Sequence, residues 1–432
     1  MTVRRALSWL AVCTLPAFAA ACTPAQEREP APAVGAETPA PVDDEEEQTE
    51  EPEPEGEAFL HLGYLLPQTG PMSFLGTWQI TAVELAVEEV NRAGGPFGED
   101  VRLSGRDEAG DAAVAIAAVD QLLAEGVHAI VGAAASGISL AVIDQITGAG
   151  VLQCSPSNTS ASFTDYDDGG LYFRLTPSEA LQGRVLAEAI LADDPSTVVI
   201  LARDDAYGEA LAATTRAGLE PATDLVVETI SYDPDERTFT SEVERAAGID
   251  PDAVVVLAYE ETPDLLQELF EAGLTPDRVG LYGADGSRDP ALPELLEEGP
   301  SVLDGMTGTA PDPGVAPEFL DRFEDANDDV EAVYAAPAYD CANLIALAAV
   351  AAGSTDGRAM AAEMQGLFDG ANACSTFAAC RDHLANGETI AYEAAGGTAA
   401  LTDAGEPSNA PVEVWGFADG ELRTLESVET SL

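Results

Sequence analysis

VHAIVGAAASGISLAVIDQITGAGVLQCSPSNTS, residues 127–160, decides how this chain folds. The apolar run VHAIVGA breaks at Ala, Ser and Gly, an apolar helical period follows over 139–148, and a second apolar run, VLQCS, ends in another polar joint. Short apolar strands alternating with helices predict a parallel sheet covered on both faces. Both joints, AAASG and SPSNTS, carry small or short side chains. A ligand can therefore come close to the backbone at two places about twenty residues apart.

The same alternation extends in both directions. Upstream, FLHLGYLL (59–66) reads as a strand, TWQITAVELAVEEVNRAGG (77–95) as an amphipathic helix ending in Gly, VRLSGRDEAG (101–110) as a strand and AAVAIAAVDQLLAEG (112–126) as a helix. Downstream of LYFRLTPS it restarts. Helices over 179–191, from Tyr207, over 241–247 and over 265–273 separate the strands STVVILA, DLVVETISY, AVVVLA and RVGLYGA. DGMTGTAP adds a strand, 318–326 and 337–352 add helices, and VEVWGFADGELRTLE is a hairpin turning at Asp419 and Gly420. At 432 residues the chain is long enough for two domains. The expected fold class is α/β, with two doubly wound lobes and chain crossings near 176, 310 and 390. One lobe would hold 58–177 with 310–390, the other 178–309 with 391–432.

The start of the chain has its own reading. Arg4 and Arg5, an apolar stretch over 6–18, and three alanines before Cys22 describe a lipoprotein signal peptide over 1–21, with Cys22 the lipidated residue. Residues 22–57 are rich in Pro, Glu and Asp and have little to bury, as expected of a disordered tether. No later segment has 18 unbroken apolar residues, so the protein is expected to be anchored to the outer face of the membrane by its lipid, not to span it.

The net charge is −60, and all 18 basic residues are Arg. Nucleic acid is excluded as a partner on electrostatic grounds; an acidic, salt-adapted surface and a codon bias exchanging Lys for Arg both fit the composition. Cys374 and Cys380, in the loop CSTFAAC, are the expected disulfide. Cys154 and Cys341 sit in apolar runs and read as small buried hydrophobes, with their pairing undetermined. With no CxxC and no His cluster, neither a metal nor a cofactor is expected. His61, His128 and His383 stand in no triad context, and the SGISL joint lacks the second Gly of a nucleophile elbow, which argues against an enzyme.

In open parallel sheets ligands bind beyond the carboxyl ends of the strands, where helix N-termini converge. Ser136 and Gly137 open one helix, and Ser157, Asn158 and Thr159 occupy the corresponding place after the next strand. Free amides and hydroxyls there can cradle a carboxylate. Helix capping alone would also account for these residue types.

The ordered set EAFLHLGYLLPQTGPMSFLGTWQITAVELAVEEVNRAGG, RDEAGD, AIVGAAASG, CSPSNTSASFTD, FRLTPSEALQGRVLAEAI, LARDDAYGEAL and YGADG resembles the type I periplasmic binding proteins of the leucine/isoleucine/valine-binding family. That resemblance implies two Rossmann-like lobes joined by three crossings, and an extracytoplasmic solute-binding protein that hands an amino acid, or a similar small amide or carboxylate, to an ABC permease. It implies that Ser136 holds the ligand carboxylate, that Thr159 contacts carboxylate and ammonium, and that Ser157 accepts from the ammonium. Tyr207 and Tyr259 match aromatic residues that close over the ligand, and Asp285 matches the acid, often Glu, that pairs with the ammonium. Leu75 stands where some relatives place an aromatic residue against the ligand side chain. A sensor feeding a membrane receptor or kinase is the alternative use of the same lobes. Asp340 reads as a structural hydrogen-bonding group, and Asp204 and Asp205 as helix caps.

Overall fold

A computed structural model describes residues 59–431, apart from 71, 298, 313–314 and 327–333. The signal peptide over 1–21, the tether and Cys22 lie outside the described residues. The first half of the chain alternates as β1 (His61–Leu66), α1 (Ser73–Arg92), β2 (Arg102–Asp107), α2 (Ala112–Ala124), β3 (Ala129–Gly132), α3 (Ser136–Gly148), β4 (Leu152–Ser155) and β5 (Tyr172–Arg174). These strands form one parallel sheet in the order β2-β1-β3-β4-β5. β3 and β4 are buried along their whole length, which is why they read as continuous apolar runs.

The chain then passes to a second sheet through α4 (Glu179–Ala192), β6 (Thr197–Arg203), α5 (Ala206–Leu219), β7 (Val226–Tyr232), α6 (Thr240–Ile249), β8 (Ala253–Leu257), α7 (Thr262–Glu271), β9 (Gly280–Gly283) and β10 (Thr307–Pro311). It returns through α8 (Pro317–Ala326), α9 (Ala335–Ala352), α10 (Gly357–Glu363), β11 (Asn372–Cys374), α11 (Phe377–Ala385) and β12 (Ile390–Tyr392), and ends in the hairpin β13 (Asn409–Ala418) and β14 (Glu421–Ser431). The second sheet runs β14-β13-β10-β9-β8-β6-β7, parallel except for the hairpin at its edge. The hairpin turns at Asp419 and Gly420, both at positive φ (57° and 76°), the geometry of a two-residue turn matched to strand twist. The architecture is thus two doubly wound α/β layers with three passages between them: after β5, after β10 and between β12 and β13.

Two helices begin earlier than their apolar periods suggest. α1 starts at Ser73 and α3 at Ser136, and Leu75 and Ile138 of the added turns already lie on the buried faces. The α9 helix is long and apolar enough to cross a membrane, but 83% of it is buried inside the fold, where it packs beside α1. Its Asp340 is structural. The carboxylate accepts from Tyr392 Oη (2.7 Å) and from the amides of Ala395 (2.9 Å) and Gly396 (2.7 Å), and burial pushes its pKa up to about 6.

The cysteines correct the sequence reading. Cys154 and Cys341 are not separate hydrophobes but a disulfide with Cα atoms 5.8 Å apart, stapling β4 to α9 across 187 residues of sequence. Cys374 and Cys380 are also joined, yet not within a loop: Cys374 ends β11 and Cys380 lies in α11. β11 and β12 pair in parallel around that helix. Strands of three residues are too short to show a period, and so read as loop.

Candidate functional site

The two joints meet side by side at the carboxyl ends of β3 and β4. Ser136, the first residue of α3, accepts at its Oγ from the Ser160 amide (3.3 Å). Ser157 Oγ donates to the Ala134 carbonyl (3.0 Å) and accepts from Gln79 of α1 (3.1 Å). Asn158 turns inward, donating to the carbonyls of Ala133 (3.2 Å) and Ala134 (2.7 Å) and accepting from Tyr172 Oη (2.8 Å). Its side chain therefore ties one joint to the other and has little left for a ligand. Behind them lies Glu108, fully buried, with one carboxyl oxygen 3.1 Å from the Ala134 amide and the other without a hydrogen-bond partner. Burial pushes its pKa up to about 8, so it sits behind the cradle as a neutral acid at neutral pH.

The facing wall comes from the second sheet and from α9. Asp285 follows β9 in a short 3₁₀ turn and is 8% exposed. Its carboxylate accepts from Gln182 Nε2 of α4 (2.6 Å), Tyr207 Oη of α5 (3.0 Å) and Tyr334 Oη (2.8 Å), which are all neutral donors. Burial raises its pKa, and the three donors hold the rise down. Gly286 beside it must be glycine, because a Cβ there would come within 2.4 Å of the Ala258 carbonyl and 2.5 Å of the Tyr259 ring. Tyr207 and Tyr259 stack with ring centroids 4.6 Å apart. Arg203 covers the other face of Tyr259, 3.9 Å from its centroid, held by Glu261 (3.0 Å) and Asp205 (2.6 Å). Asp205 also caps α5 through the amides of Tyr207 and Gly208.

Between the walls stands Glu179, the first residue of α4, which the sequence reading did not single out. Its Oε1 accepts from Thr159 Oγ1 (2.8 Å), while its Oε2, fully buried, has no hydrogen-bond partner. Burial, together with the Asp285 charge, drives its pKa well up. Gln182 and Tyr334 were missed as well. An acid in a helix's first turn has an ordinary explanation in the helix dipole, and nothing local marks Gln182 or Tyr334. Leu75 is buried in the main apolar cluster and joins none of these polar contacts. Its neighbour Phe74 instead lines a cavity of about 200 Å³ with Tyr259, Gly286, Leu292 and Leu295. The cleft can thus offer amides and hydroxyls on one side, the buried Asp285 on the other, Glu179 between them, and beside them a largely apolar cavity whose lining also includes Glu260 and Asp289. No cluster able to hold a metal ion occurs among the described residues.

Residues 60–398 match the family described as periplasmic binding protein. The chain is 26% identical over 371 residues to Leu/Ile/Val-binding protein homolog 3 of Brucella melitensis, covering 85% of this chain and 94% of that one. It is 31% identical over 362 residues to BasB, a chemotactic signal transduction system substrate-binding protein of Halobacterium salinarum, covering 80% and 84%. Among solved structures, the branched-chain amino acid transporter substrate-binding protein LivJ of Streptococcus pneumoniae, in complex with isoleucine, superposes with a TM-score of 0.70 at 20% identity, covering 86% of this chain and all of that one. With a family match over most of its length and the fold to accompany it, the chain belongs to the type I periplasmic binding proteins, in the leucine/isoleucine/valine-binding family.

Proposed function

We propose that this protein captures an α-amino acid with an apolar side chain by closing its two lobes over it. The observation that carries the reading is Asp285, a buried carboxylate surrounded by neutral donors and paired with a second buried acid, Glu179, that has a free oxygen. Such a pair is costly until a cation arrives, and an ammonium group supplies it. The carboxylate of the same molecule goes to the joint at Ser136 and Thr159, and the apolar cavity beside Gly286 suits a branched-chain-like side chain. A zwitterion engaged on both walls binds the closed arrangement best, and that differential drives closure. The protein acts as a binding protein, not an enzyme, without cofactor or metal. It is held outside the cytoplasm by lipid at Cys22, and passes its cargo to an ABC permease.

The test is thermal unfolding of the mature protein in molar salt against apolar, polar and charged amino acids, amides, aromatic carboxylates and sugars. A ligand at 100 times its Kd adds about 2.7 kcal/mol of stability. A shift with leucine, isoleucine or valine, absent for the same molecules lacking the amino group, supports the reading; a shift confined to carboxylates without an amine refutes it. The resemblance to a chemotactic substrate-binding protein favours one second reading, a sensor that presents its loaded state to a membrane receptor. Cells lacking the protein would then lose attraction to the amino acid while taking it up normally.

A further inference from the structure

A buried ion pair lies behind the second joint, outside the contacts assigned to cargo. Arg174 ends β5 with its side chain 1% exposed, and Glu406, three residues before β13, is 2% exposed. The guanidinium donates from Nε to Glu406 Oε2 (2.9 Å) and from a second nitrogen to the same carboxylate. Its third nitrogen donates to the carbonyls of Asn158 (3.2 Å) and Ser160 (2.8 Å), the two that flank Thr159. Thr164 Oγ1 bonds to both Glu406 oxygens at 3.2 Å, and the Arg174 amide donates to the Gly405 carbonyl (2.9 Å).

Stability alone does not account for this arrangement, because a well-packed apolar pair of similar volume is often at least as stable as a buried ion pair. An apolar pair could not grip two carbonyls, whereas the planar guanidinium presents its donors in a fixed fork. The acid that aims this fork belongs to the passage leading from β12 to β13, and so to the route by which the chain enters the second sheet. We infer that Arg174 and Glu406 are positioning residues that set the turn through Thr159 and tie it to the third passage between the sheets. Cargo seated at Thr159 and movement of the second lobe about that passage then bias one another. The link to cargo rests on the amino-acid reading above; the link to the joint does not.

Hydrogen exchange and leucine titration of the mature chain test both parts. Two variants are compared with the parent: Glu406→Gln, and the double variant Arg174→Met with Glu406→Leu, which removes both charges and leaves an apolar pair in case the single change fails to fold. Without cargo, amide exchange over 158–164 should quicken at least tenfold in the folded variants while β6 and β8 keep their protection. Leucine should bind at least tenfold more weakly, and the protection it confers on 401–406 in the parent should disappear. Exchange over 158–164 within twofold of the parent in the double variant overturns the positioning role. Faster exchange with an unchanged leucine Kd overturns the coupling to cargo. If the parent binds no amino acid, the amino-acid reading fails on that ground, and the exchange result still decides whether the pair sets the joint.

Discussion

The two walls of the cleft are built on opposite principles. The wall from the first sheet is local and neutral at its surface: two short joints, adjacent strands, backbone amides and hydroxyls. The wall from the second sheet is assembled at a distance, with α4, α5 and the start of α9 each sending one side chain to the carboxylate that the turn after β9 carries. Backbone groups can recognise an anion from a short stretch of sequence, because every residue carries an amide. Recognition of a cation needs acids, which are costly to bury and must be supported from several directions.

The comparison can be broken at its covalent support. Among the described residues, the disulfide that reaches the neutral wall ties β4 to α9 through Cys154 and Cys341. Replacing both with Ala should cost up to about 5 kcal/mol of stability to denaturant for a loop of this length, while leucine affinity changes little once the protein is folded. A large loss of affinity without a loss of stability would mean that the staple shapes the joint directly.

The acid hidden behind the neutral wall offers a pH test. The folded pKa of Glu108, about 8, lies above its ordinary value of 4.5, so the folded state holds a proton that the unfolded state has released between those limits. Stability from this group is present below pH 4.5 and lost as pH rises through 8, a swing of about 4 kcal/mol between pH 5 and pH 9. Glu108→Gln should flatten that part of the stability profile in urea titrations; an unchanged slope would mean that the carboxyl is already ionised at pH 5.

On the acidic wall, Asp285→Asn keeps the shape and removes the charge. Leucine binding should weaken by about 3 kcal/mol, roughly 100-fold, in calorimetry. A loss under threefold would assign the ammonium to Glu179 and recast Asp285 as support. Ser136→Ala removes one neutral hydrogen bond and should cost only about 1 kcal/mol of affinity. If its effect equals that of Asp285→Asn, the contrast between the walls is wrong.

The same contrast explains what could be read from the sequence. The alternating layers, the hairpin at Asp419 and Gly420, and the small-residue joints are all signals carried within ten or twenty residues. Residues whose meaning comes from convergence left no such trace. Glu179 reads as an ordinary first-turn acid, and Gln182 as one polar position on a helix; each becomes part of the site only when α4 is laid between the two sheets. Arg174 and Glu406 are 232 residues apart, and Cys154 and Cys341 are 187 apart. Asn158 was legible as a polar joint residue, but its inward rotamer depends on Tyr172 and on the carbonyls of the neighbouring joint.

The pairing of Glu179 with Asp285 has a consequence for the empty protein. Both groups have raised pKa values because burial strips them of water, and the Asp285 charge further opposes ionisation of Glu179. If the cargo is an α-amino acid, as proposed above, its ammonium brings in the positive charge that empty lobes would have to borrow from solution as a proton on closing. Under that reading the two acids would disfavour closure of the empty lobes. That bias weakens in acid, where the borrowed proton is abundant.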